Sequence, residues 1–356
     1  MKPDSRLSNI DLLRVLSMFF ILLTHCIQYG TVWCAYEGVN MDSLWAITDW
    51  AVMYWGFFLA SVGVNCFVLI SGFLLAERTD YRWKSAARTW LSTFFYSFFI
   101  CLLFVLLGKA SARELFHYAF PVYSDVYWFI TQFIGLTVLS PFLARLVVTL
   151  SKREYQIMLV VLAVMNLRLF KFPYGAVYGG PQTIVWFVFL FFVGAYVKKY
   201  RPFGSFRHFG KCYVAFGILL ASIYMAIQVA LYFKDGKPFD YGNTFNNSFT
   251  FLTAFLLFMW AVNHTVREKS VPAFISKAAP LALGVYLITE HPLVRNLLWN
   301  EWCSFSTHRG SPWLIPTQLI TCLGVFLLCL GIEWLRTKLF EVLKVDEGVN
   351  KLFKHS

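Results

Sequence analysis

Apolar residues fill long, nearly unbroken runs along this chain, and short polar stretches rich in Lys and Arg separate them. A run of about 20 apolar residues spans a bilayer's hydrocarbon core when helical. On this pattern, membrane helices are expected near 9–29, 51–75, 90–108, 127–149, 155–170, 183–199, 211–233, 246–264, 279–299 and 313–335. The fifth is the shortest, and Asn166 and Arg168 interrupt its end. In lipid, only a helix or a closed barrel satisfies every backbone group. The expected fold is therefore all-α: a polytopic bundle of about ten transmembrane helices forming one integral-membrane domain over residues 1–356. No internal repeat, linker or appended soluble domain is visible in the sequence. The first run, Ile10 to Ile27, is too long for the core of a signal peptide and lacks a small-residue cleavage site.

Composition agrees. The chain is 58% hydrophobic and 14% charged, and its mean hydropathy is +0.60. Soluble domains run at about 45–50% apolar and about 25% charged. The formal charge of +12 would suggest nucleic acid in a soluble protein. Here it follows membrane sidedness, because Lys and Arg collect in cytoplasmic loops. With ten spans and the N-terminus inside, 22 of the 31 Lys and Arg fall in cytoplasmic loops and 8 in external ones. Arg14 lies inside the first span and is counted in neither set. Both termini are thus expected in the cytoplasm, with no nucleic-acid partner. The eight cysteines contain no CxxC pair and no metal spacing, so no metal site is expected. Cys34 and Cys303 fall in predicted external loops, and a bond between them is left open.

Against this background, polar groups inside spans carry the information, since a charge there costs roughly 2.5–3.5 kcal/mol even on the lenient insertion scale. Arg14 and His25 lie eleven residues apart in the first span. Eleven steps of about 100° return to nearly the same face, with an axial separation of about 16 Å. Alone, Arg14 reads as a cation snorkelling beside Asp11 and His25 as a hydrogen-bonded structural residue; a shared face favours a polar cavity. The second span contains Ser71-Gly72 and is followed by Arg78, Arg82, Lys84 and Arg88. These mark a cytoplasmic loop and also suit the phosphates of a coenzyme. The fourth span opens with Tyr127 and Trp128 and holds Gln132 and Ser140. The ninth carries Glu290, His291 and Arg295, which read either as a salt-bridged cluster or as a carboxylate that orients a base.

These segments together resemble acyltransferase family 3, membrane-bound enzymes that O-acylate bacterial surface glycans. The resemblance covers essentially the whole chain. It rests on the Arg14…His25 spacing, the stretch Gly63 to Phe73, the element Tyr127 to Phe129, and Gly284 to Pro292 before and through His-Pro. The chain departs from the family pattern at Asn65, where many members have Asp. It departs again at Thr289-Glu290, which separates Ile288 from His291-Pro292 and leaves both Glu290 and His291 as candidates for one family position.

The resemblance implies an enzyme of the plasma (inner) membrane of a bacterium, taking acetyl or another acyl group from acyl-CoA. The acceptor would be a hydroxyl of a polysaccharide or lipid-linked sugar. His25 would act as general base or transient acyl carrier, an imidazole being suited to proton transfer near neutral pH. Arg14 would bind the coenzyme or stabilise developing charge. Glu290 and His291 would support catalysis, while Arg78, Arg82, Lys84 and Arg88 would hold the coenzyme's phosphates. A secondary transporter or exporter is the alternative for a many-helix bundle with embedded charges. The absence of paired broken half-helices and of an internal repeat weighs against it.

Overall fold

The computed structural model describes residues 8–30, 43–167, 182–204, 206–235, 247–263, 273–303, 305–308 and 310–354. The first helices are α1 (Ser8–Gly30), α2 (Leu44–Ala60), α3 (Gly63–Leu75), α4 (Trp83–Leu106) and α5 (Ala112–Ala119). Next come α6 (Trp128–Thr149), α7 (Lys152–Asn166), α8 (Ile184–Tyr200), α9 (Phe209–Asp235) and α10 (Ser248–Asn263). Then follow α11 (Ala273–Ala278), α12 (Ala282–Thr289), α13 (Pro292–Asn296), α14 (Leu314–Val342) and α15 (Val345–Leu352). Short 3₁₀ turns and one π-helical segment (Leu297–Cys303) complete the described elements.

Each of the ten apolar segments expected from sequence coincides with helix, but not each crosses a membrane by itself. Among the described residues, six helices are long and apolar enough to cross. A seventh crossing arises if the pair Ala273–Thr289 and Pro292–Cys303, bent by 77°, counts as one. Among the described residues these helices account for six or seven of the ten expected spans. Helix α10 is described over 16 residues, about 24 Å of helix against a hydrocarbon core of about 30 Å. Helix α7 has 15 residues and opens with a capping box between Ser151 and Glu154, which satisfies two of its first backbone N–H groups. The second span is longer than the pattern indicated, running Leu44–Leu75 through a turn at Ser61-Val62.

Helices α3 and α8 form the centre. On α3, Asn65 through Ile70 are all buried. The two helices cross where Gly72 faces the carbonyl of Phe191 and Gly194 faces the carbonyl of Leu69. A methyl group at either glycine would run into the partner's backbone. Reciprocal small residues let membrane helices approach closely without a hydrophobic driving force. At the periphery, α4 and α14 turn Leu103, Leu106, Ile320 and Leu328 outward, as suits contact with lipid.

One end of the bundle gathers cations. Arg78, Arg82, Lys84, Arg88, Arg145, Lys198, Arg201 and Lys338 lie where α3, α6, α8 and α14 finish and α4 begins. At that end α15 returns against α4, and Asp346 and Asn350 engage Arg88. Just inside it, Glu333 receives both Nε (2.8 Å) and Nη2 (2.7 Å) of Arg336 and the hydroxyl of Tyr96 (2.7 Å). The Tyr96 bond ties this buried ion pair of α14 to α4. Cys303 is a free thiol, and Cys34 lies outside the described residues.

Candidate active site

At the opposite end from the cations, α1, α2, α3, α6 and α12 enclose a cavity of about 390 Å³. His25 enters from α1, one turn before Tyr29. Glu290 enters from the end of α12, where its backbone N–H still closes the last helical bond to Tyr286 (2.9 Å). The His25 Nδ1 and Glu290 Oε1 atoms stand 2.9 Å apart, with Glu290 almost fully buried. The approach is short but off the ideal hydrogen-bond direction. A carboxylate only accepts, so a hydrogen bond between them requires the proton on His25 Nδ1 and leaves Nε2 as the ring's basic nitrogen. Glu290 Oε2 lies 3.4 Å from Arg295 Nη1, and the Arg295 guanidinium covers the Tyr29 ring at 4.8 Å. The result is a row of cation, carboxylate and imidazole along one cavity wall.

The remaining lining is mixed. Trp128, Tyr286 and Phe57 offer aromatic faces; Thr24, Gln28 and Gln182 offer hydroxyl and amide groups. Ser61 and Gly63, at the turn between α2 and α3, complete the rim. A concave site with aromatic walls and a few polar anchors is the ordinary form of a small-molecule site.

The other sequence candidates lie elsewhere. Arg14 is on α1 toward the basic end, 3.5 Å from Asp11. Met18 and Ile21 are buried between it and His25, and Ile21 lines the cavity while Arg14 does not. His291, the neighbour of Glu290, points away: its Nε2 contacts the Ser97 carbonyl at 3.2 Å and its Nδ1 accepts from Leu293 N–H at 3.3 Å. Asn65 accepts the Trp186 indole N–H at 3.1 Å, binding α3 to α8. Tyr127 donates to the Leu287 carbonyl at 2.9 Å, and Ser140 bonds within its own helix. The four cations of the α3–α4 connection have different surroundings. Arg82 is 3.8 Å from Asp80, Arg78 is exposed, Lys84 is half-buried, and Arg88 is held by α15.

Tyr286 belongs to the Gly284 to Pro292 stretch; Tyr29 and the two glutamines, Gln28 and Gln182, are not singled out by the sequence pattern. Tyr29 alone had a signal, standing four residues after His25 on the same helical face.

A family model for acyltransferase family 3, described as an acyltransferase domain, matches residues 7–334. The chain belongs to acyltransferase family 3. It has no match among curated proteins and none among solved structures. As a family 3 acyltransferase with several long apolar helices, it is a membrane enzyme that transfers acyl groups. The matched range takes in the cavity wall from His25 to Arg295 and ends within α14.

Proposed function

We propose that this acyltransferase moves an acyl group, acetyl by preference, from acyl-CoA to a hydroxyl of a glycan or lipid-linked sugar at the plasma membrane of a bacterium. The carrying observation is the His25–Glu290 pair set in the wall of the 390 Å³ cavity. Lys and Arg at the opposite end support an orientation with that end in the cytoplasm, where the coenzyme is available. Both termini would then be inside.

In this reading His25 Nε2 accepts the proton of the acceptor hydroxyl, and the oxygen attacks the thioester carbonyl. The tetrahedral intermediate collapses with cleavage of the carbon–sulfur bond. The imidazolium returns its proton to the thiolate, leaving free coenzyme and the sugar ester. Glu290 holds the ring by Nδ1 and stabilises the imidazolium, and Arg295 holds Glu290 in place. Arg14, about 16 Å along the helix, serves the coenzyme's arm, with Met18 and Ile21 between the two ends of the route. Arg78, Arg82 and Lys84 are the available phosphate partners; Arg88 must exchange Asp346 for phosphate to join them. Sugar rings would rest their C–H faces on Trp128 and Tyr286, with Gln28 and Gln182 taking hydroxyls.

The test is transfer of radiolabelled acetyl from acetyl-CoA to membrane glycan, comparing wild type with His25→Ala at equal protein level. Loss of labelling is expected. Normal labelling by His25→Ala would remove the proposed base.

A further inference from the structure

Neighbouring residues Glu290 and His291 point to different places, and the reason is the 77° break between α12 and α13. Pro292 opens α13 and has no N–H to continue the preceding helix. A break of this kind leaves the direction of the last α12 residue open unless something fastens it. His291 is the fastening. Its Nδ1 caps α13 by accepting from Leu293 N–H (3.3 Å), so in the neutral ring Nε2 carries the proton and donates to the Ser97 carbonyl of α4 (3.2 Å). The ring is fully buried and stacks on Tyr118 at 4.7 Å, with an interplanar angle of 23°. Tyr118 is itself tied back to α4, its carbonyl accepting from the Ser97 hydroxyl at 2.7 Å. Ser97, Tyr118 and His291 thus form a closed polar knot behind the cavity, with both imidazole nitrogens engaged.

We propose that His291 is a positioning residue for the acyl transfer: by pinning the α12–α13 break to α4 at Ser97, it holds Glu290 against His25. This inference rests on the functional reading above. It assigns His291 no contact with substrate and no proton transfer. The same break puts Arg295 beside Glu290, so a loosened break disturbs both partners of the carboxylate. Misplacing a catalytic group by about 1 Å costs on the order of 10²-fold in rate.

The experiment uses the full-length protein in membranes or detergent, with acetyl-CoA and the glycan acceptor, normalised to folded protein. His291→Ala is expected to lower kcat about 10²-fold while KM for acetyl-CoA stays within about threefold. In a Glu290→Gln background the same change should cost little more, because the group being positioned is already lost. His291→Gln extends an amide N–H toward Ser97 and should recover most of the activity. His291→Asn offers an acceptor to Leu293 N–H but is too short to reach α4, and should remain impaired. The Gln and Asn variants decide the matter even if His291→Ala fails to accumulate. Equal activity in Gln and Asn variants, or a full additive loss on top of Glu290→Gln, would overturn the proposal. A wild-type protein that transfers no acetyl, or a fully active His25→Ala, would instead overturn the functional reading beneath it.

Discussion

Replacing Glu290 by Gln removes one charge and almost no volume, which makes it the cleanest probe of the cavity wall. Glu290 lies 2.9 Å from His25 Nδ1 and 3.4 Å from Arg295 Nη1, with only 7% of its side chain exposed. When His25 takes a proton, the imidazolium faces the carboxylate at that distance. At an effective dielectric of about 20, a unit charge pair at 2.9 Å is worth at most about 6 kcal/mol. The adjacent Arg295 guanidinium opposes part of this. A positioned base contributes typically 10²–10⁴-fold, or about 2.7–5.5 kcal/mol at 1.36 kcal/mol per decade. Glu290→Gln is therefore expected to lower kcat by about 10²–10⁴-fold, with protein level and thermal midpoint in detergent close to wild type. Initial rates of acetyl-CoA-dependent glycan labelling measure it. A variant retaining more than about a third of wild-type kcat would show that His25 needs no carboxylate, and the paired-residue mechanism would be wrong.

Arg295→Ala should lower kcat less than Glu290→Gln, by about tenfold, because Glu290 keeps His25 when its own cation is lost; steady-state rates compare the two. Gly72→Ala drives a methyl group into the Phe191 carbonyl and should destabilise the α3–α8 crossing by about 1–3 kcal/mol, read as a lower thermal midpoint. Arg336→Ala strands the buried Glu333 carboxylate and should cost about 3–5 kcal/mol. Arg88→Ala breaks only an exposed pair with Asp346 and should change stability by less than about 1 kcal/mol. A rise in KM for acetyl-CoA in Arg88→Ala would place that cation on the coenzyme.

The sequence by itself determined the class of the molecule and the places of its helices. Long apolar runs leave the backbone no other way to bond in lipid, and helix occurs at every segment so marked. It also singled out His25 and Glu290 separately, because each is a polar group whose cost inside a span calls for a partner. Run length did not by itself show the crossings: α10 is described over 16 residues, and 279–299 breaks where Pro292 denies the helix an N–H. Nor could the pattern choose between Glu290 and His291, which are adjacent in sequence and equally polar. Only the tertiary structure shows which of them meets His25, through the bend that carries Glu290 to α1 and leaves His291 against α4. Likewise, the shared helical face of Arg14 and His25 was legible from periodicity, whereas the burial of Met18 and Ile21 on that face was not. Periodicity fixes direction around one helix axis; which neighbour covers that direction is settled by packing between helices distant in sequence.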